Sequence, residues 1–397
     1  MKKIKKILVL FSLVIFCFSF SSSNARTQKM VVFIHGTIVP DFFPVIPPFL
    51  YSPKPTALPS IKSWFREQVN TANFRNKRCY KELFWKLWDK MLYRIRFDEV
   101  HKYQPIGNTG LVKIGLGKQP NLLDEKNKMV NASFAQNFKK AFKYVEQDDT
   151  NYHFYTFGWI GNMSHEKRIK WAEVLYNSLL KQKNLLENNS DSVEIEIYAH
   201  SHGANLALNL AFAEDMHKNN LNISRLVMFA LPVQPANAKC VLNPIFEKAY
   251  HIYASDDDVQ IFDKGMSHAG RSQRRFDEEI LQNPLPQKLV QIEVTANGIS
   301  PSHRELWFLG TVSSDNGHRK FNLSSYRYNF PLYPYPVSLF APILITILDT
   351  EYVGTKDILW DIENLNPNIQ EDFLETPNNY QFNITDKSIQ FAASLPA

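Results

Sequence analysis

IYAHSHGANLALNLA, residues 197–211, sets a serine between two histidines and runs on into an alanine-rich stretch. The residues before it, VEIEIY at 193–198, read as a strand, and Ala204–His217 read as a helix. Ser201 therefore stands on a strand-to-helix turn, Ala199-His200-Ser201-His202-Gly203, which is the pattern G-x-S-x-G with alanine in the first place. A residue on so sharp a turn takes strained backbone angles, and its neighbours two positions away must be small to clear the helix and the adjacent strand. Ala204, Ala207 and Ala211 give the helix a small-residue face that lets it lie close to a sheet. Its N-terminus directs amides at the serine, with the His202 amide placed to bind an oxyanion. Glu194 and Glu196 sit awkwardly on a central strand and are expected at its exposed beginning.

Strand and helix signals alternate on both sides of this turn. Met30–Ile34 is a continuous apolar run closed by His35-Gly36, and His153–Phe157 is followed by the loop Gly158-Trp159-Ile160-Gly161. Ser164 can cap a helix whose stripe is Ile169, Ala172, Tyr176 and Leu179. Strand patterns return at Arg225–Ala230, Ala249–Tyr253 and Leu289–Val294. Such alternation indicates βαβ units, hence an α/β fold with a mainly parallel sheet flanked by helices. Beyond Gly310 the rhythm fails. FPLYPYPVSLFAPILITIL, residues 330–348, is apolar but broken by four prolines, which excludes a membrane span. Residues 311–397 stand as a C-terminal extension, either packed on the surface or binding a partner.

The chain opens with four lysines, the apolar run Ile7–Phe20 and small residues ending at Ala25, the layout of a secretory signal peptide over 1–25. Export to the periplasm or the extracellular space of a bacterium is the expectation. Removing that segment lowers the formal net charge from +6 to +2, which argues against nucleic acid as a partner. Cys79 and Cys240 would remain, either paired or in separate sites. No Cys/His spacing resembles a metal site, and the Gly-x-Gly-Lys at 115–118 lacks the spacing of a phosphate loop. Neither a metal nor another cofactor is expected. Residues 39–130 interrupt the strand–helix alternation with proline, aromatics and a basic amphipathic stretch at 81–97. That stretch suits packing on its own protein and transient contact with a membrane surface alike.

With its serine turn and flanking strands, the sequence resembles the α/β-hydrolase superfamily, and within it the secreted lipases and esterases. The resemblance covers residues 29–38 and about 152–305. It implies an α/β-hydrolase domain over 26–310, with 39–130 as a lid or cap insertion, and a triad in the order serine, acid, histidine. The family's acid lies in a Gly-x-x-Asp-x-Val context. With Ala254 in the glycine's place, Ser255-Asp256-Asp257-Asp258-Val259 aligns Asp257, ahead of Asp258 and Asp256. The base follows the last strand, which selects His303 over His268 and His318. Thr37, after His35-Gly36, maps to the second oxyanion amide, beside that of His202. The side chains of His200 and His202 are expected to point away from the serine as pocket or packing residues, and Trp159 to line the pocket.

These readings predict an exported serine hydrolase of carboxylic esters, with a small-molecule or lipid ester, acylglycerol or phospholipid among them, as substrate. Acyl transfer to an alcohol uses the same triad and is the alternative within enzymes, with peptide hydrolysis behind it. An inactive hydrolase-fold binding protein is the alternative outside them, given Ala199 in the glycine's place and the crowded aspartates.

Overall fold

The computed structural model describes residues 27–37, 109–115, 135, 138–143, 145, 150–162, 164–187, 192–262, 271–303, 305–307, 330–332, 336–351, 357–364 and 380–386. The expected signal segment 1–25, the basic stretch 81–97, Cys79, His268 and His318 lie outside them, as does most of the expected insertion 39–130.

The strands are β1 (Gln28–Ile34), β2 (Gly110–Lys113), β3 (Asn151–Gly158), β4 (Val193–His200), β5 (Ile223–Phe229), β6 (Phe246–Tyr253), β7 (Leu289–Ala296), β8 (Asp357–Asn364) and β9 (Tyr380–Asp386). They form one sheet in the order β2-β3-β1-β4-β5-β6-β7-β8-β9. The seven inner strands run parallel, and β2 and β9 close the edges antiparallel. This is an α/β protein with a mostly parallel mixed sheet flanked by helices, compatible with Rossmann-like and hydrolase-like folds.

The longest helix among the described residues, α1 (His165–Glu187), carries the chain from β3 to β4 past β1, which lies between them. From β4 onward the parallel strands are added in sequence order on the other side. The loops after β1 and β4 therefore flank the point where the winding reverses, where open α/β sheets form their crevice.

Both faces of the sheet are buried, so its central strands are apolar at successive positions. Met30, Val32 and Ile34 of β1 join one core with Leu175 and Leu179 of α1 and Ala204 and Ala207 of α2 (His202–Leu208). Val31 and Phe33 join the other with Phe138 and Phe142 from helical residues 138–143, and with Leu344 and Leu348. Each fully buried leucine or phenylalanine contributes about 2 kcal/mol on transfer from water.

Four features differ from the sequence expectations. First, the helix after the serine is split at Asn209 into α2 and α3 (Leu210–His217). Second, residues 110–113, inside the expected insertion, are an edge strand of the sheet. Third, the segment beyond 310 is not all outside the sheet. It supplies α4 (Ala341–Glu351), β8 beside β7, and β9. Pro342 is accommodated because the first turn of a helix has no intrahelical use for its N–H.

The fourth concerns Glu196, which is fully buried rather than at an exposed beginning; Glu194 is exposed. Glu196 accepts hydrogen bonds from Arg225 (2.6 Å) and Tyr198 (2.9 Å) and pairs with Lys29 (3.1 Å). Burial alone would raise its carboxyl, but Lys29 and Arg225 outweigh burial and hold it below the usual carboxylate range. Arg225 and Lys248 continue the network to Asp349 of α4, which also accepts from Tyr250.

Candidate active site

The residues picked out by sequence come from the loops that follow β1, β3, β4, β6 and β7, all at one edge of the sheet. Ser201 has φ 52° and ψ −130°, a left-handed backbone that a non-glycine residue takes only when its surroundings impose it. Those surroundings are visible. The Ser201 amide donates to the Phe229 carbonyl at the end of β5 (2.8 Å), and Ala204 N donates to the Ser201 carbonyl (3.0 Å). A Cβ on Gly203 would lie 2.2 Å from the His35 carbonyl oxygen, so the helix meets the loop after β1 where only glycine fits. On the other side, a Cβ on Gly36 would lie 2.7 Å from Ser201 Cβ. The elbow and the His35-Gly36-Thr37 loop are thus in direct contact.

The Ser201 amide is engaged, and the next amide along the elbow is that of His202, at the start of α2. Thr37 follows Gly36 directly, and its buried hydroxyl has no hydrogen-bond partner among the described residues. The loop is held by a reciprocal pair: Trp159 Nε1 donates to the His35 carbonyl (2.8 Å), and the His35 ring reaches the Trp159 carbonyl (3.1 Å). Trp159, expected to line the pocket, is completely buried in this structure, with its indole against the loop after β1.

After β6, the three aspartates separate by environment. Asp257 is buried, and its Oδ2 accepts from His303 Nδ1 at 2.7 Å while Oδ1 accepts from Val259 N at 3.0 Å. Asp258 is exposed and pairs with Arg274 at 2.5 Å, and Asp256 is exposed. Arg274 also donates through Nε to the Asp257 carbonyl (3.1 Å), bracing the turn. Since an ionised carboxylate only accepts, His303 carries its proton on Nδ1 and leaves Nε2 able to take one. Among the described residues no hydrogen bond joins Ser201 Oγ to His303.

The turn carrying His303 is anchored from the C-terminal segment. Glu305 is buried and accepts from Ser302 N (2.7 Å), while Val337 N and Ser338 N donate to the carbonyls of Glu305 (2.9 Å) and Leu306 (3.2 Å).

Two further residues border the elbow, and sequence reasoning missed one of them entirely. Arg168 of α1 is completely buried. It donates to Gln234 Oε1 (2.5 Å), and its Nη1 lies 3.4 Å from His202 Nδ1. The expected stripe had Ile169 inward at this turn; Ile169 is half-buried, and the arginine takes the core position. Burial, then the Arg168 charge, then His303 hold the His202 ring well below the usual imidazole range, so it is neutral. The Arg168 charge beside the ring of the first residue of α2 lies at the positive end of that helix. His200 is the other, and it is buried beside His303.

Compared with known protein families and with curated proteins, the sequence matches none of them. Among the described residues no group of three or more His, Cys, Asp or Glu could hold a metal ion, and no helix is long and apolar enough to cross a membrane.

Proposed function

We propose that the chain is an exported serine hydrolase of the α/β-hydrolase type that cleaves carboxylic esters, with lipid or acyl esters as the substrate class. The observation that carries this is the backbone of Ser201, strained at φ 52° on a strand-to-helix elbow, together with the pair formed by buried Asp257 and half-buried His303. Strain of this kind persists only where the fold over-determines it, and it lifts the hydroxyl out of the turn toward substrate.

The steps follow from the roles. Ser201 Oγ attacks the ester carbonyl carbon as its proton passes to His303 Nε2. Asp257 keeps the ring in its Nδ1–H tautomer and stabilises the imidazolium. The carbonyl π electrons move to oxygen, where the amides of Thr37 and His202 receive the charge in a preorganised site. The bond to the leaving alcohol breaks as His303 returns the proton to its oxygen, giving an acyl-enzyme. Water then adds by the same proton path and releases the carboxylic acid and free Ser201.

Hydrolysis of p-nitrophenyl esters of short and long acyl chains by the purified protein tests this. Turnover that disappears in a folded Ser201→Ala variant supports the proposal, and the chain-length profile separates esterase from lipase. Turnover that survives in Ser201→Ala, or a folded wild type inert toward every ester, contradicts it.

A further inference from the structure

His200 immediately precedes the serine, and its side chain does not merely fill space. The ring is buried, and three parts of the site surround it. Its Nε2 lies 3.0 Å from the His303 carbonyl oxygen. Its Nδ1 is 3.1 Å from the point where a Cβ on Gly36 would sit, so that edge faces the loop after β1. Its plane stacks on Trp307, with ring centroids 5.8 Å apart and an interplanar angle of 5°, and its centroid is 4.6 Å from that of His303.

A carbonyl oxygen only accepts, so His200 must donate from Nε2 and is present as the Nε2–H tautomer. Burial, then the neighbouring His303, hold the ring well below the usual imidazole range even though the His303 carbonyl favours its proton; His35 and His202 push the same way as burial. A second cation 4.6 Å from a catalytic imidazolium would oppose it, so a neutral ring is the only form that helps.

We propose that His200 is a positioning residue that tethers the backbone of His303 to the elbow, fixing where the base stands relative to Ser201 without itself taking a proton. The role presupposes the hydrolase reading for its effect on turnover, but the tether itself can be seen without catalysis. Asp257 orients the imidazole from Nδ1, and His200 holds the same residue by its carbonyl. Together they define the ring at both ends, the kind of support without which a reacting group drifts.

The test pairs His200→Phe, which keeps a flat ring on Trp307 but cannot donate, with His200→Gln, whose amide nitrogen restores a donor at a comparable reach. Three readouts are needed: the downfield proton signal of the His303–Asp257 bond, the melting temperature, and kcat and KM for a p-nitrophenyl ester. Expected for His200→Phe are a signal lost to solvent exchange, an almost unchanged melting temperature and a kcat lower by about 100-fold at nearly constant KM. His200→Gln should restore the signal and most of kcat. The acid limb of the wild-type pH profile should survive in His200→Gln, since His200 does not titrate in the working range.

An undisturbed signal and kcat in His200→Phe overturns the proposal, as does loss of the acid limb in His200→Gln. Should His200→Phe fail to fold, nitrogen-15 spectra of wild-type histidines decide the matter. A neutral Nε2–H tautomer for His200 at neutral pH supports the tether, and a cationic or Nδ1–H ring overturns it. A wild type that shows the protected His303 signal and its loss in His200→Phe, yet hydrolyses no ester, would sink the hydrolase reading and leave the tether standing.

Discussion

At the scale of single residues, two glycines and one aspartate decide whether the site can exist. Gly203→Ala would drive a methyl group to 2.2 Å from the His35 carbonyl oxygen, and its nearest neighbours are all backbone atoms of Ile34 and His35 rather than flexible side chains. We expect a loss of about 2–3 kcal/mol, read from denaturant unfolding, as for other overpacked interiors. Gly36→Ala meets the side chains of Ser201 and His200 and, at 3.1 Å, the His200 carbonyl oxygen, a looser fit than the 2.2 Å approach at Gly203. It should keep more of its stability than Gly203→Ala while losing about 100-fold in ester turnover, because the methyl displaces the serine itself. Asp257→Asn should leave the protein folded and lower kcat by about 10³–10⁴-fold, since an amide allows the wrong tautomer of His303. Asp258→Asn, at the exposed Arg274 pair, should change kcat less than about two-fold, in line with the small value of surface ion pairs. The sequence left three adjacent aspartates in play. Separating them takes the turn after β6, in which Asp257 N bonds back to the Ala254 carbonyl at 3.3 Å and points its carboxylate inward.

At the scale of elements, the strands that position the site were legible because burial on both faces writes itself as continuous apolar runs. β1, β4 and β5 begin within two residues of where MVVFI, VEIEIY and RLVMFA begin. The helix after the serine was legible for a similar reason, its alanines marking the face against the sheet. What hid the rest was tertiary context. Arg168 breaks the apolar stripe of α1, and its burial makes sense beside Gln234 and His202, 66 and 34 positions away. β8 carries a regular alternation, with Ile358, Trp360 and Ile362 buried, but it follows a proline-rich segment that suggested the domain had ended. Glu196 contradicts the rule for a central strand until Lys29 and Arg225, on the strands to either side, are seen to meet it. That network lies toward the beginnings of β4 and β5, away from the ends that carry the site. Arg225→Met should therefore cost about 3 kcal/mol of stability, by leaving part of a buried charge uncompensated, while kcat stays within two-fold of wild type.

At the scale of the whole molecule, buried neutral histidines tie stability to pH. His251 lies in the interior beside Phe276 and Tyr253, and burial pushes its ring down from 6.5 to about 3. His200 and His202 shift in the same direction. The unfolded chain binds protons on these rings below about pH 6.5, whereas the folded chain resists doing so. Their contribution is thus fully present above pH 6.5 and is lost as the pH falls toward 3. The melting temperature should drop across that window. His251→Phe, which keeps an aromatic ring in an aromatic site, should make the drop shallower; an unchanged slope would mean that another group governs it. The C-terminal segment also acts at this scale. By adding β8 and β9 to the sheet and bonding the turn of His303 through Val337 and Ser338, it joins the stability of the far edge to the placement of His303.

The central claim is that Ser201 is an activated nucleophile, and covalent labelling tests it most directly. The folded wild type would be treated with a fluorophosphonate and its intact mass measured, with the modified residue mapped by peptide sequencing. The account predicts a single adduct on Ser201, absent from Ser201→Ala and much slowed in Asp257→Asn. A folded wild type that takes up no label, or takes it elsewhere than Ser201, would contradict it.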